Sequence, residues 1–274
     1  VGGFVAKQLE TVPENGGELL YSTSVKEVRI QDNRVLGVTT DQGEIFDADM
    51  VISDAGIRQT VRFLVGEQYF PREYVERVNS LRSNLCDIGY RYFTTKRVLD
   101  YSTYVLFPHG CLESWEEFEE IADGKRKPEK NYIYMGTKSV FPTIGPEDGR
   151  QVIYAVMSCV PRYDQDFTPY LEYVEMRAKQ IAPQLFEEGV IEHKEIMTLQ
   201  SVNALGTVCL EPGHGGESYG VADAIGQADD EQPKAETPIK GLYLTGNDVE
   251  GFGIGTHRAV DSAFKTFEKV KTFL

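Results

Sequence analysis

Apolar positions Phe4, Val5 and Leu9 recur at helical spacing at the start of the chain, and Pro13 with Asn15-Gly16-Gly17 ends the run. The spacing predicts a short helix, followed by a strand that starts at Leu19 to Tyr21. Alternation then takes over. Val25 to Gln31 and Arg34 to Thr40 read as strands joined by a turn at Asp32-Asn33, and a second turn at Asp41-Gln42-Gly43 leads into Glu44 to Phe46. A short apolar run, Met50 to Ser53, predicts a buried strand closed by a small-residue turn at Ala55-Gly56.

The texture changes near Ile57. RQTVRFLVGEQYFPREYVERVNSL, 58–81, is expected to be helical with an aromatic, apolar side. NLCDIGYRYFTTK, YVLFP, NYIYMGTKSV and QVIYAVMSCV are runs rich in Tyr, Val and Ile, and several strands in succession predict an antiparallel sheet. TPYLEYVEMRAKQIAPQLFEEG reads as a helix opened by Thr168-Pro169, bent near Pro183 and stopped by Gly189. VIEHKEIMTLQSV returns as a strand, and the polar stretch 226–238 reads as a surface loop. The last signal is GLYLTGNDVEGFGIGTHRAVDSAF, 241–264: a short apolar strand, a glycine-rich bend and an amphipathic helix. The two ends of the chain read as parts of one domain, with the middle inserted between them.

Charge narrows the partners. With 28 basic against 43 acidic residues the net charge is −15, which repels phosphate backbones, so nucleic acid is excluded as a partner. No run approaches the roughly 18 to 20 apolar residues of a membrane-spanning helix, and no signal peptide is evident. Four cysteines, Cys86, Cys111, Cys159 and Cys209, are far apart and read as reduced thiols of a cytoplasmic protein. His109-Gly110-Cys111 is the only close pair of metal-ligand types, too few for a structural zinc site, so no metal is expected.

The bend at the end carries the chemistry. Gly246, Gly251, Gly253 and Gly255 permit positive φ and leave backbone amides unshielded, and Thr256 is placed to cap a helix whose Ala259, Val260, Ala263, Phe264 and Phe267 form a stripe expected to be buried. Free amides at a positive helix end suit a pyrophosphate or the N1–C2=O edge of a reduced flavin. Asn247 lies in the same bend, as does Ile254, and Asp248 offers an acceptor for a ribityl hydroxyl. The competing reading is a tight strand-to-helix connection with no ligand. Ser53, Ala55 and Gly56, after the buried strand, read either as a dinucleotide-facing turn or as a simple bend.

The stretch 16–56, GGELLYSTSVKEVRIQDNRVLGVTTDQGEIFDADMVISDAG, followed far downstream by GLYLTGNDVEGFGIGTHRAVDSA, resembles the phytoene desaturase and amine-oxidase-like group of FAD-dependent oxidoreductases. Within that group it is similar to the phytoene dehydrogenase-related branch, as is the middle stretch SVFPTIGPEDGRQVIYAVMSCVP. The resemblance implies an α/β and α+β fold: part of a discontinuous Rossmann-like FAD-binding domain with an inserted mixed antiparallel-sheet substrate domain. It divides the chain into 1–56 and 213–274 as parts of the FAD-binding domain and 57–212 as the substrate domain. FAD is the implied cofactor, and Val25 sits where similar proteins hold the adenine through backbone groups. The family's opening GxGxxG turn is absent, so this stretch is expected to be the C-terminal portion of such an enzyme, inactive and colourless alone and prone to self-association.

The implied reaction is desaturation, saturation or isomerisation of a long apolar polyene or isoprenoid by hydride exchange with flavin N5. Within CLEPGHGGESYG, Glu211, His214 and Tyr219 are the candidate catalytic residues, placed to stabilise a cation or move protons. A solvated loop is the competing reading of that segment. A flavin amine oxidase and a non-catalytic carrier of an apolar ligand are the alternatives for the whole. Phe63, Leu64, Tyr69 and Phe70 share a segment with Arg58, Arg62 and Arg72, and two readings stand for them: core packing, or a shallow peripheral membrane contact.

Overall fold

The meander forms where its turn residues place it. In the computed structural model, which describes residues 2–141, 143–203, 214–215 and 220–272, strands β1 (Val25–Gln31) and β2 (Arg34–Thr40) pair antiparallel around Asp32 and Asn33. Both turn residues have positive φ, 49° and 57°, the left-handed geometry that lets a two-residue hairpin follow the strand twist. β3 (Ile45–Asp47) completes a three-stranded sheet on β2. Gly37 is required there, because a Cβ would sit 1.9 Å from the Phe46 carbonyl oxygen.

Before this sheet runs helix α1 (Gly2–Glu14). The strand expected from Leu19 to Tyr21 does not form. No strand lies against it among the described residues, Leu20 and Tyr21 are exposed, and an isolated extended segment has nothing to pair with.

A second sheet brings distant parts of the sequence together. β4 (Val51–Ser53) pairs parallel with β10 (Leu242–Leu244), with Val51 opposite Leu242 and Ser53 opposite Leu244. After β4 the expected helical stretch is cut into pieces: α2 (Ile57–Gln59), a π-turn at Thr60–Val65, a 3-10 turn at Glu67–Tyr69 and α3 (Arg72–Ser80). Gly66, at φ 100°, and Pro71 are the breakers. Phe70 is buried and stacks on Tyr74 at 5.3 Å, whereas Phe63 and Tyr69 remain exposed. Burial pushes the Tyr74 hydroxyl up to about 12. These elements, with 234–245 and 265–274, make one compact unit.

The other unit, 80–233 with 246–264, is built on a five-stranded antiparallel sheet. Its strands are β5 (Cys86–Thr94), β6 (Thr103–Leu106), β7 (Ile133–Gly136), β8 (Val152–Cys159) and β9 (Ile191–Met197), in the order β6-β7-β8-β5-β9. Alternate residues point to one face: Cys86, Ile88, Tyr90 and Tyr92 of β5 and Ile153, Ala155, Met157 and Cys159 of β8 are buried together with Tyr170, Val174 and Ala178 of helix α5 (Thr168–Ile181). Helix α4 (Trp115–Ala122) was not anticipated, although Ser114 and Glu117 form a capping box that opens it. A 3-10 turn at Pro183–Phe186 ends the α5 region, and a short α6 (Leu199–Asn203) follows β9 where the strand was expected to continue.

Two polar groups lock this unit. Gln151 is buried; its Oε1 accepts from the amides of Val98 and Leu99, both at 2.8 Å, and its Nε2 donates to Leu99 O at 2.8 Å. The stretch 226–238 is likewise tied down rather than a loose surface loop. Gln227 accepts from Arg82 N and donates to Arg82 O and Ala222 O, and Gln232 and Ala235 are buried.

Helix α7 (Thr256–Lys271) reverses the expected facing. Arg258, Ser262, Thr266 and Val270, at four-residue spacing, are the buried set, while Val260, Phe264 and Phe267 are 47%, 67% and 56% exposed and Ala263 is exposed too. Side-chain bonds hold the inner face: Thr266 Oγ1 donates to Leu244 O at 3.0 Å, and Arg258 binds Gly253 O and Asp223. Among the described residues no helix is long and apolar enough to cross a membrane.

Replacing Gln151 by leucine strands two buried amides, each costing about 1–3 kcal/mol, and the urea midpoint of unfolding should fall accordingly. Glu117 supplies a pH signature. The Ser114 amide, then Arg126 and Lys130, hold its carboxyl down at about 2 against an ordinary 4.5. The folded form therefore favours the carboxylate, and its contribution is present above pH 4.5 and lost as pH falls towards 2. Glu117→Gln should lower the midpoint at neutral pH, with the difference from the parent shrinking through that acid window.

Candidate functional site

Strand β10 ends at Leu244, and the segment 246–256 turns the chain into α7. Gly246, Gly253 and Gly255 take φ of 97°, 90° and 60°, a left-handed backbone that a side chain would strain. The helix begins at Thr256 and its first backbone bond runs from Ala259 N to Gly255 O at 3.0 Å, so Gly255 and not Thr256 holds the cap position. Part of the bend is bound internally: Glu250 N donates to Pro233 O, Gly251 N to Gln232 Oε1 and Phe252 N to Asp261 Oδ2.

The amides of Gly253, Ile254 and Gly255 make no hydrogen bond among the described residues. They stand in succession before a helix N-terminus, where the aligned peptide dipoles favour negative charge.

Arg258 holds this bend in shape. Its Nε donates to Gly253 O at 2.9 Å and its guanidinium pairs with Asp223 at 2.7 Å, and the side chain is almost wholly buried. The sequence reading passed over this residue; its only signal was a cation within the first helical turn, where the dipole alone would disfavour it. Asp248 is committed in part to the protein. Its Oδ1 accepts from Val221 N at 2.9 Å, and a Cβ at Gly220 would lie 2.3 Å from that oxygen. Asn247 differs, since its Oδ1 is buried with no hydrogen-bond partner among the described residues.

In the first unit, Ser53, Ala55 and Gly56 form the turn between β4 and α2. Ser53 Oγ bonds Thr60 Oγ1 at 2.7 Å, Ala55 N donates weakly to Ser53 Oγ at 3.4 Å, and Thr60 caps back to Gly56 O at 2.8 Å. Gly56 has φ 85°. Val25 is exposed at the start of β1, opposite Thr40.

Of the candidate catalytic residues, Glu211 and Tyr219 lie outside the described residues. His214 is half-buried, and its backbone bridges antiparallel to Arg162. Arg162 in turn gathers Asp164, Asp123 and Glu119 within 3.1 Å and holds the Asp164 carboxyl below the usual carboxylate range.

No profile of a known protein family matches the sequence, and no curated protein matches it. Solved structures do. An oxidoreductase from Methanosarcina mazei superposes over 95% of this chain and 52% of its own, at 18% identity and a TM-score of 0.58. A protein from Pyrococcus furiosus matches over 94% and 49%, at 18% identity and a TM-score of 0.55. A putrescine oxidase redesigned in its cofactor binding matches over 92% and 49%, at 13% identity and a TM-score of 0.50. The chain spans about half the length of these structures. The likeness shows the expected fold, mixed α/β and α+β with antiparallel sheets, and it is a fold carried by oxidoreductases.

Arg258→Met removes the bond to Gly253 O and leaves Asp223 without this cation. A charge-assisted bond contributes about 1.5–3 kcal/mol, so exchange of the hydrogen-bonded amides of Glu250, Gly251 and Phe252 should quicken markedly while the β5–β8 amides keep their protection. Unchanged exchange in the bend would show that Arg258 does not shape it.

Proposed function

We propose that this chain supplies one wall of the FAD site and the substrate-facing domain of an oxidoreductase that acts on a long apolar polyene or isoprenoid. The observation that carries the cofactor is the bend 246–256: positive-φ glycines that let a ligand approach the backbone, with three successive amides at Gly253, Ile254 and Gly255 and the buried Asn247 Oδ1 that have no partner among the described residues. These residues fit a flavin. The amides donate to its electron-rich N1–C2=O edge, Asn247 and Asp248 meet ribityl hydroxyls, and Arg258 keeps the bend in shape.

Ser53, Ala55 and Gly56 belong to the same reading, because small residues after a parallel strand leave backbone open to a dinucleotide. Both glycine turns follow the carboxyl ends of parallel strands, where open α/β sheets bind their ligands. Val25 is assigned to the adenine end. When bound, FAD supplies hydride acceptance at N5. The chain's own part is to position, to exclude water and to set the local field. Domain 57–212 is assigned to the substrate, with Glu211, His214 and Tyr219 as the groups near the reacting carbons.

A second reading, amine oxidation, draws on the likeness to a putrescine oxidase. An aromatic cage for an amine needs a gap between two facing rings. The stacked pairs among the described residues, Phe70 with Tyr74 and Tyr134 with Tyr154, have their centroids 5.3 and 5.6 Å apart and leave no such gap. A non-catalytic carrier is the third reading, and a cytoplasmic or membrane-peripheral location is expected in each.

The test uses the intact protein with its flavin. Anaerobic addition of a detergent-dispersed polyene should bleach the flavin band, and a polyamine should not. Bleaching by the polyamine alone overturns the substrate class; bleaching by neither favours the carrier. Asp248→Ala should weaken FAD binding by about 1 kcal/mol, roughly fivefold in Kd. Asp248→Asn, which still accepts from Val221, separates the ligand contact from support of the turn. Equal FAD affinity in all three proteins removes Asp248 from the site.

A further inference from the structure

Helix α5 covers the core of the five-stranded sheet with Tyr170, Tyr173, Val174 and Ala178, and a second stripe of the same helix, at three- and four-residue spacing, borders a cleft. The cleft holds about 450 Å³, within the roughly 300–1,000 Å³ of small-molecule sites, and all of its lining belongs to one compact unit. Leu171 and Met176 of α5 and Tyr90 of β5 supply the apolar lining, with Thr168, Glu172, Glu175 and Lys179 around them. Met176 is 49% exposed. Ile196 of β9, the strand at the end of the sheet, stands directly across from Tyr90 on the same face and is 51% exposed, so it continues the apolar surface to the sheet edge.

The charges select the ligand. Lys194 of β9 and Lys179 of α5 bind a single carboxylate: Lys194 Nζ donates to Glu175 Oε2 at 2.7 Å, and Lys179 Nζ donates to Glu175 Oε1 at 3.0 Å. Lys194 Nζ also stands 3.9 Å from the centre of the Tyr90 ring. Two cations thus share one anion, and each ammonium has three donors of which the described residues take one. Glu172, the other carboxylate of the cleft, is exposed and lies 4.0 Å from Lys127. A cationic ligand would find both oxygens of Glu175 engaged and the Tyr90 ring already facing an ammonium. A carboxylate finds two ammonium groups beside an apolar floor. We propose that the cleft between α5 and β9 binds a small amphipathic carboxylate, whose head takes the spare donors of Lys179 and Lys194 and whose hydrocarbon body lies on Tyr90, Leu171 and Met176. The cleft shares no residue with the bend 246–256, so this site and the cofactor reading stand or fall separately.

Calorimetric titration of the intact protein with decanoate tests the proposal, with decanol and decyltrimethylammonium as the uncharged and cationic probes. Decanoate should bind saturably and more tightly than either. Replacing both lysines, Lys179→Met with Lys194→Met, should weaken it about tenfold, since each partly exposed ion pair contributes up to about fivefold. Met176→Asp keeps both lysines and should also weaken it, because a carboxylate would then lie along the hydrocarbon. Decanoate binding that does not saturate, or that decanol or the cationic probe equals, overturns the proposal. So does an affinity for decanoate that is the same in the parent, the double lysine variant and Met176→Asp, because the anion would then be held elsewhere on the protein.

Discussion

The parallel pairing of Val51–Ser53 with Leu242–Leu244 is the constraint on which the architecture depends. It joins strands separated by most of the sequence, so everything between them is topologically an excursion that leaves and returns to one unit. Closing so long a loop is less prohibitive than it looks, because the entropic cost grows only with the logarithm of its length. The inserted antiparallel sheet has its own core. With the pairing in place, β10 delivers the chain to the glycine bend, and α7 is fastened to β10 by Thr266 Oγ1 on Leu244 O.

The bend divides its backbone groups between two uses. Glu250, Gly251 and Phe252 donate to the protein, and Arg258 pulls on the Gly253 carbonyl. The next three amides have no partner among the described residues. A rigid frame beside free donors is the arrangement that recognises an anion without reorganising, since the donors are aimed before the ligand arrives. A guanidinium within the first turn of a helix works against the dipole. Its pairing with Asp223 offsets that charge and leaves the amides to set the local potential.

What could be read from the sequence follows from how local each signal is. The hairpin at Asp32-Asn33 and the glycine bend depend on the chirality of a few residues, and both were legible. The strands of the large sheet were also legible, because β-branched and aromatic runs suit a half-buried pleat whatever their partners. Three features were not. Leu19 to Tyr21 had the composition of a strand but no neighbour to pair with among the described residues, and pairing is non-local. The segment after Ile57 had one helical texture, yet Gly66 and Pro71 interrupt it twice. In α7 the apolar stripe was correctly placed on the helix, but its facing was decided by Thr266 and Arg258 finding polar partners. The candidate site divides in the same way: the conformation of the bend was readable, whereas the Arg258 clamp and the commitment of Asp248 to Val221 required tertiary contacts.

Cys86 and Cys159 lie opposite one another across β5 and β8, both fully buried and neither in a disulfide, and burial pushes the Cys159 thiol up from its ordinary value. Buried at 0% exposure, these two sulfurs are out of reach of alkylating reagents while the strands stay zipped. Exposed Cys111 has no such protection. The protein thus carries an internal clock: the lag between labelling at Cys111 and labelling at the cross-strand pair measures how often the central sheet breathes open.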